Sequence, residues 1–552
     1  MILLSHKDLR DRYDLCVIGS GPGGIILTLE YAKLNPDKTV LLVEYGSLKS
    51  EEKNALDDSI VIENITNHHT PYETTNKMFG GTTQTWGGRC VNYNPIDFQQ
   101  RDIVGENCTW DLAFYHDALQ YSEISAKYFE CGEPVFNINS NINLKHSRIA
   151  ENFTKGIVTD SEVERWSMPT RFGERYRDDI KLDHNIHLLS SFEARVFAKP
   201  NTSSMVETLE IRQVFTGELV TIKAGDYVIA AGAQESTRVL LRNVQLFSNL
   251  GFTPPSLGRY YQGHLSGKIA SVKFYGNPKK TDFGFIVDKD GVYLRRRFQF
   301  TGETLQKHNL LNTAIWLDNP LYYDPSHGSG AMSFMYLAMI TPVLGKKLAP
   351  PAIAQSVTKG KVFGVTKHIA NVLRQFPSSL LTPASIFYKR YFSKRKLPGV
   401  FLYSPDNEYA LHFHAEQQPV FSNLMELAGD GETMLIKYSL SDDDINSVIK
   451  VHEILDEYLR ENKCGELIYW FKQDELKDAI RLMSKDGIHQ SGTTRIASSA
   501  QKGVVNEDLR LWGTSNVYVC SSSVFPTSSQ ANPTFFLGVV AARLANFLTE
   551  KA

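Results

Sequence analysis

The apolar positions near the start of the chain fall first into a strand pattern. Tyr13-Asp14-Leu15-Cys16-Val17-Ile18 is the short, nearly continuous apolar run of a strand buried on both faces, and Gly19-Ser20-Gly21-Pro22-Gly23-Gly24 cuts it off. Ile25 to Leu34 then reads as a helix that Asn35-Pro36 stops, because proline disfavours helical geometry in the residue before it. Thr39-Val40-Leu41-Leu42-Val43 is a second apolar run, ending on Glu44, and completes a βαβ unit. Similar runs recur far away, at Tyr227-Val228-Ile229-Ala230-Ala231 before Gly232 and at Val517-Tyr518-Val519-Cys520. If both join the first sheet, that sheet is assembled from separated pieces. From about 267 to 438, strand patterns such as Gly291-Val292-Tyr293-Leu294 and Leu435-Ile436-Lys437-Tyr438 mix with helical ones, which predicts a second unit of sheet plus helices. Ser441-Asp442-Asp443-Asp444 predicts the capped start of a long helix through Leu459, its acidic first turn suiting the helix dipole.

Length supports the division into two units. At 552 residues the chain exceeds the ~250–300 that one hydrophobic core supports. A composition of 42% hydrophobic and 22% charged residues is that of a globular protein, and a net charge of −2 creates no general attraction to nucleic acid or to acidic membranes, so any such attraction must be local. The six cysteines are scattered, with no zinc-knuckle or redox-dithiol spacing, so no metal site is expected. The first residues lack a secretory leader pattern, and no apolar run reaches the ~18–20 residues that span a bilayer. A cytoplasmic location is the expectation.

Charge is uneven in one place. Between Asp324 and Asp406 there is no acidic residue, while Lys346, Lys347, Lys359, Lys361, Lys367, Arg374, Lys389, Arg390, Lys394, Arg395 and Lys396 are basic. Within the segment, Val362, Val365, Ile369, Val372, Leu373 and Phe376 recur at helical spacing, with Lys367 and Arg374 opposite. Residues 346–396 read either as a surface helix pair that touches anionic lipid, an anionic substrate or an acidic partner, or as a solvated lid.

The glycine turn carries the first chemistry. Gly19 permits the tight turn, Gly21 lets the backbone approach a pyrophosphate, and Gly24 lets helix and strand pack closely. Free amides at the helix start face the phosphates, and Glu44 is placed to accept from ribose hydroxyls. This fingerprint predicts a dinucleotide without separating FAD from NAD.

Four blocks, in order, resemble the glucose-methanol-choline (GMC) oxidoreductase family. They are the N-terminal unit; Phe79-Gly80-Gly81-Thr82-Thr83-Gln84-Thr85-Trp86-Gly87-Gly88; Ile229-Ala230-Ala231-Gly232-Ala233-Gln234-Glu235-Ser236; and His489-Gln490-Ser491-Gly492-Thr493-Thr494-Arg495 with the tail through Ala531-Asn532-Pro533-Thr534. The resemblance implies an α/β fold, with a Rossmann-like FAD-binding domain (1–100, 190–265 and 485–552) and an α+β substrate domain (101–189 and 266–484, including the basic helical segment 340–397). It implies a loop along the flavin ring at Gly80, Gly81, Thr85, Trp86 and Gly87. Thr85 stands where some members carry a flavin-linked histidine, so the FAD is expected to be non-covalent. Val196 is expected to meet the adenine, Ala231 and Gly232 the diphosphate and ribose, and Pro533 and Thr534 the cofactor. Ser521 stands where many fungal members carry an aspartate.

His489 matches the family's base and Asn532 its partner. Oxidising an alcohol requires removal of the hydroxyl proton as hydride leaves, and histidine, with an unperturbed pKa of ~6.5, suits that task. The implied reaction is oxidation of an alcohol, of a sugar or polyol, to a carbonyl, with the electron acceptor unassigned. A lyase-like flavin protein, or a peripheral membrane dehydrogenase feeding a quinone or protein acceptor, stays open.

Overall fold

The computed structural model describes residues 6–48, 59–138, 142, 144, 146–200, 203–341 and 362–551. Residues 1–5, on which part of the leader reading rests, and Lys346, Lys347, Lys359 and Lys361 of the basic stretch lie outside them.

Five parallel strands form the first sheet: Tyr13–Ile18, Val40–Glu44, Ile186–Ser190, Ala224–Ile229 and Val517–Val519. The separated apolar runs do join one sheet. Val17 sits between Leu42 and Val228, all three fully buried, and burial of such a side chain contributes roughly 1.5–3 kcal/mol. The first helix, Pro22–Leu34, starts three residues before Ile25 because proline fits the first helical turn, where its missing N–H costs nothing. Across the sheet the strands lie third, second, first, fourth, fifth in chain order. The direction of winding therefore reverses between Tyr13–Ile18 and Ala224–Ile229, whose C-terminal residues Ile18 and Ile229 are paired. A doubly wound sheet binds its ligand in the crevice at that reversal.

A six-stranded antiparallel sheet builds the second core, its long central strands being His264–Phe274, Glu408–Glu416 and Thr313–Asp318. Leu411 and Phe413 on one face share a core with Val448, Val451 and Leu455 of the helix Asp442–Glu461. That helix starts as its sequence requires: Ser441 Oγ accepts from Asp444 N, and the Asp444 carboxylate accepts from Ser441 N. Strand alternation sends His264, Ser266, Trp316, His412 and His414 to the opposite face.

Burial rather than chain position draws the line between the two cores. Ile186 to Leu189, expected in the substrate domain, belong to a strand of the parallel sheet, and Trp110, Phe114, Phe129 and Phe172 pack in its core. Conversely, Ile60–Ile62 pairs with Met434–Lys437, and Ile60 belongs to the second core. All six cysteines are buried and unpaired. Among the described residues, no helix is long and apolar enough to cross a membrane.

Candidate active site

The crevice at the reversal opens into an elongated cleft. It runs from Glu44, Tyr45 and Phe192 to Ala194, past Gly19 to Gly23 and Ala230 to Glu235, to Gln490, Ser521, Ser522, Pro533 and Thr534. The first turns of three helices, Pro22–Leu34, Gly232–Arg242 and Pro533–Lys551, line it. Helix N-termini carry unsatisfied N–H groups and partial positive charge, so their convergence favours an anionic ligand.

The glycine loop is shaped by close approach. A Cβ on Gly24 would lie 2.0 Å from the Gly19 carbonyl oxygen, so only glycine fits where helix meets turn. Around Gly21, by contrast, nothing lies within 4 Å of a Cβ, leaving backbone open to the cleft. Glu44 holds the loop while lining the cleft: its Oε2 accepts from Ser20 N at 2.9 Å and Ser20 Oγ at 2.5 Å, and its Oε1 accepts from Gly46 N at 2.7 Å. Ser521, fully buried, caps the short helix Ser522–Val524 by accepting from Ser523 N. A dinucleotide fits one further observation. Gln234 lines the cleft, is buried, and has neither amide oxygen nor amide nitrogen partnered among the described residues. A buried amide in that state calls for a ligand to satisfy it.

Several sequence-predicted residues lie elsewhere. Gly81 and Thr82 line the cleft, but Gly80 packs on Gly173 and donates its amide to Ser20 O. Thr85, Trp86 and Gly87 do not line it. Thr85 Oγ1 accepts from Asn76 Nδ2, itself a cleft-lining side chain, at 2.6 Å, and Trp86 Nε1 donates to Thr170 O at 3.0 Å. Val196 is also displaced. Its strand bulges between Ala194 and Val196, so Ala194 takes the place beside the cleft and Val196 is exposed.

His489 and Asn532 come from distant stretches and meet beside this cleft. Ile488 and Gln490, on either side of His489 in the chain, line it, and Pro533 follows Asn532 into the final helix. The His489 segment is threaded between Gln262, which exchanges backbone hydrogen bonds with Ser491, and Ser523, whose carbonyl accepts from Thr494 N. Gly492 makes this possible with φ near +94°, its α-carbon against the Tyr260 carbonyl. Asn532 Nδ2 donates to His489 Nε2 at 2.6 Å. The Asn532 amide oxygen is shut off from solvent without a partner among the described residues.

The structure adds residues that the sequence reading missed. Asp486 Oδ2 lies 3.6 Å from His489 Nδ1 and 3.2 Å from His264 Nδ1, and accepts from His264 N at 2.6 Å. Its Oδ1 accepts the backbone N–H groups of Gly487, Ile488 and His489. Burial alone would raise the Asp486 carboxyl, but His489 and His264 hold it well below the usual carboxylate range. With Nε2 accepting from Asn532, the His489 proton sits on Nδ1, facing this carboxylate. His264 and His414 stack at 4.2 Å, and both rings meet His489 edge-on at 5.1 and 5.5 Å. Burial pushes both below the ordinary histidine range, most strongly His414, which His264 and Arg89 also oppose. The three rings offer nitrogens within 4.8 Å of one another, a spacing that could hold a metal. Both His264 nitrogens, however, face acceptors, Asp486 Oδ2 and Ser528 O, and His414 Nδ1 faces Gln530 O. The alternation of His412 and His414 along a strand was a visible signal that the two share a face; nothing local joined them to His489.

The family described as GMC oxidoreductase matches over residues 430–541. A curated relative, 6'''-hydroxyparomomycin C oxidase of Streptomyces lividus, is 24% identical over 372 residues, which cover 59% of this chain and 63% of the relative. The match therefore spans under two thirds of that relative's length. A fungal aryl-alcohol oxidase superposes with a TM-score of 0.53 at 13% identity, covering 98% of this chain and all of that one. An FAD-dependent oxidoreductase from Chaetomium thermophilum gives 0.54 at 14% identity, covering 98% and 99%. At these identities the two structures establish a shared fold.

Proposed function

Because the chain belongs to the GMC oxidoreductase family, we propose that it is an FAD-dependent enzyme that oxidises an alcohol group of a sugar or polyol to a carbonyl, with His489 as base. The observation that carries the reading is His489 beside the cleft that the glycine turn and three helix starts line, with a lone pair on the nitrogen that meets Asn532 and a carboxylate behind the other. FAD, when bound, supplies the hydride acceptor. Gly19, Gly21, Gly24 and Glu44 would hold its adenosine and phosphates with Ala231, Gly232 and Ser521, while Pro533 and Thr534 would offer a further helix N-terminus.

His489 Nε2 receives the proton of the substrate hydroxyl, and Asn532 orients that oxygen through its amide. Asp486 keeps the resting proton on Nδ1 and stabilises the imidazolium that forms. A polar sheet face carrying His264, His412, His414 and Trp316 supports a hydroxylated substrate over a hydrocarbon one, and the named substrate of the Streptomyces lividus relative bears a hydroxyl. Thr85, which has no nucleophilic nitrogen and does not line the cleft, supports non-covalent FAD. Buried, unpaired thiols support a reducing, cytoplasmic setting. An anaerobic screen of sugars, polyols and simple alcohols, followed at the flavin absorbance band, tests the reading. Bleaching by a hydroxylated substrate is expected, and flavin that stays oxidised with every alcohol would sink it.

A further inference from the structure

The helix pair Val365–Arg374 and Ser378–Tyr391 is built the opposite way round from an ordinary surface helix pair. Its inward side chains are polar. His368 meets Ser333 Oγ at 2.9 Å and Tyr323 O at 3.2 Å, and Asn371 Nδ2 donates to Pro325 O and to Ser333 Oγ. Gln375 accepts from Gly330 N and donates to Gly328 O. These bonds tie the pair to the helix Gly330–Ile340 and the turn before it.

The apolar side chains point out. The sequence pattern places Ile369, Leu373 and Phe376 on one stripe, and all three are exposed. Leu373, Phe376, Leu381, Tyr388 and Phe392 are each between 63% and 69% exposed. Single exposed apolar residues are ordinary, but a contiguous set on two helices marks a surface that something covers. Lys389 on the second helix, Lys394 and Lys396 just beyond its end, and Lys367 and Arg374 across the first helix from the stripe are all exposed, and none forms an ion pair among the described residues.

We propose that this face lies on an anionic phospholipid bilayer, with the aromatic and leucine side chains in the headgroup and acyl boundary and the lysines and arginines on the lipid phosphates. Charge complementarity selects that occupant. A symmetric second copy would bring the same cations against one another in a stretch with no acidic residue from 325 to 405 to offset them. A bilayer accepts both features at once, as an interfacial helix with a basic polar face does. Contact is peripheral: among the described residues no helix is long and apolar enough to span.

The test is co-sedimentation of the purified FAD-loaded protein with phosphatidylcholine vesicles and with vesicles that also contain phosphatidylglycerol. It is read as protein in the pellet and is independent of the redox reading. The mixed vesicles should pellet the protein, phosphatidylcholine alone much less, and high salt should release it. Each cation near an anionic surface is worth about fivefold in partitioning, so Lys389→Ser with Lys394→Ser should weaken binding by ten- to thirtyfold. Phe376→Ser with Phe392→Ser should abolish pelleting at an unchanged melting temperature, since both side chains are exposed. Absence of pelleting with the mixed vesicles overturns the proposal, as does undiminished pelleting of the phenylalanine variant. A concentration-dependent dimer that this variant dissolves, without vesicle binding, overturns it too and assigns the face to a second copy.

Discussion

Replacing Asp486 with asparagine tests the arrangement behind His489 most directly. The change keeps size and one oxygen, but it puts an N–H₂ group on one side of a carboxylate that accepts from donors on both. With the amide oxygen kept toward Gly487, Ile488 and His489, the nitrogen faces His264 N–H and His489 Nδ1. His489 then loses its reason to keep the proton on Nδ1, and a tautomeric shift removes the lone pair from Nε2. The charge is lost as well. At 3.6 Å and an effective dielectric of ~20, a full carboxylate–imidazolium attraction is about 4–5 kcal/mol, and general-base catalysis as a whole is worth ~10²–10⁴-fold. The retained dipole offsets part of this, so a loss of ~10²–10³-fold, about 3–4 kcal/mol, is expected in flavin reduction. Anaerobic stopped-flow with the best substrate of the alcohol screen measures it, alongside FAD content and melting temperature. The loss should fall on the limiting rate rather than on the substrate concentration at half saturation. A variant that retains FAD and reduces within about tenfold of the parent would refute the positioning role.

Other consequences follow from the cleft and the cores. Gly24→Ala places a methyl group 2.0 Å from a backbone oxygen and should destabilise the fold by ~1–3 kcal/mol or more, read by urea denaturation of the apoprotein. Gly21→Ala meets nothing within 4 Å and should leave apoprotein stability nearly unchanged while weakening FAD binding, read by flavin retention on dialysis. Gln234→Leu removes a buried amide without partners, so the apoprotein should gain about 1 kcal/mol while the rise in melting temperature on adding FAD shrinks. His452, buried in the helix Asp442–Glu461, is pushed down to about 4 by burial. A depressed folded-state value means that its contribution is present above the unfolded value of ~6.5 and is lost as pH falls through about 4, up to about 3 kcal/mol in all. His452→Phe should flatten the acid side of the stability profile, and an unchanged slope would assign that lability elsewhere.

Local physics wrote the first βαβ unit plainly. The turn at Gly19 to Gly24 lies between a buried run and a helix, and a proline-bounded helix with an acid at the next strand end needs little beyond its own residues. The capping box at Ser441 was legible for the same reason, since its partners are three residues apart. His489 and Asn532 could be named from the C-terminal block, but not their shared hydrogen bond, which joins residues 43 apart in the chain.

What only the tertiary structure decided is where long-range pairing overrides the local pattern. Strand order across the parallel sheet set the reversal that places the cleft, and it drew Ile186–Ser190 away from the neighbours its chain position suggested. One bulge exchanged Val196 for Ala194 beside the cleft. His264 and His414 reached His489 from two antiparallel strands, while the loop itself turned Asp486, three residues before His489, back onto the ring. The amphipathic period of 365–376 was visible as a pattern, but its direction was not: hydrogen bonds from His368, Asn371 and Gln375 to a neighbouring helix and the turn before it put those three polar groups inside and left Ile369, Leu373 and Phe376 outside along with Lys367 and Arg374. Periodicity gives a helix two faces, and only the groups packed against it determine which one is buried.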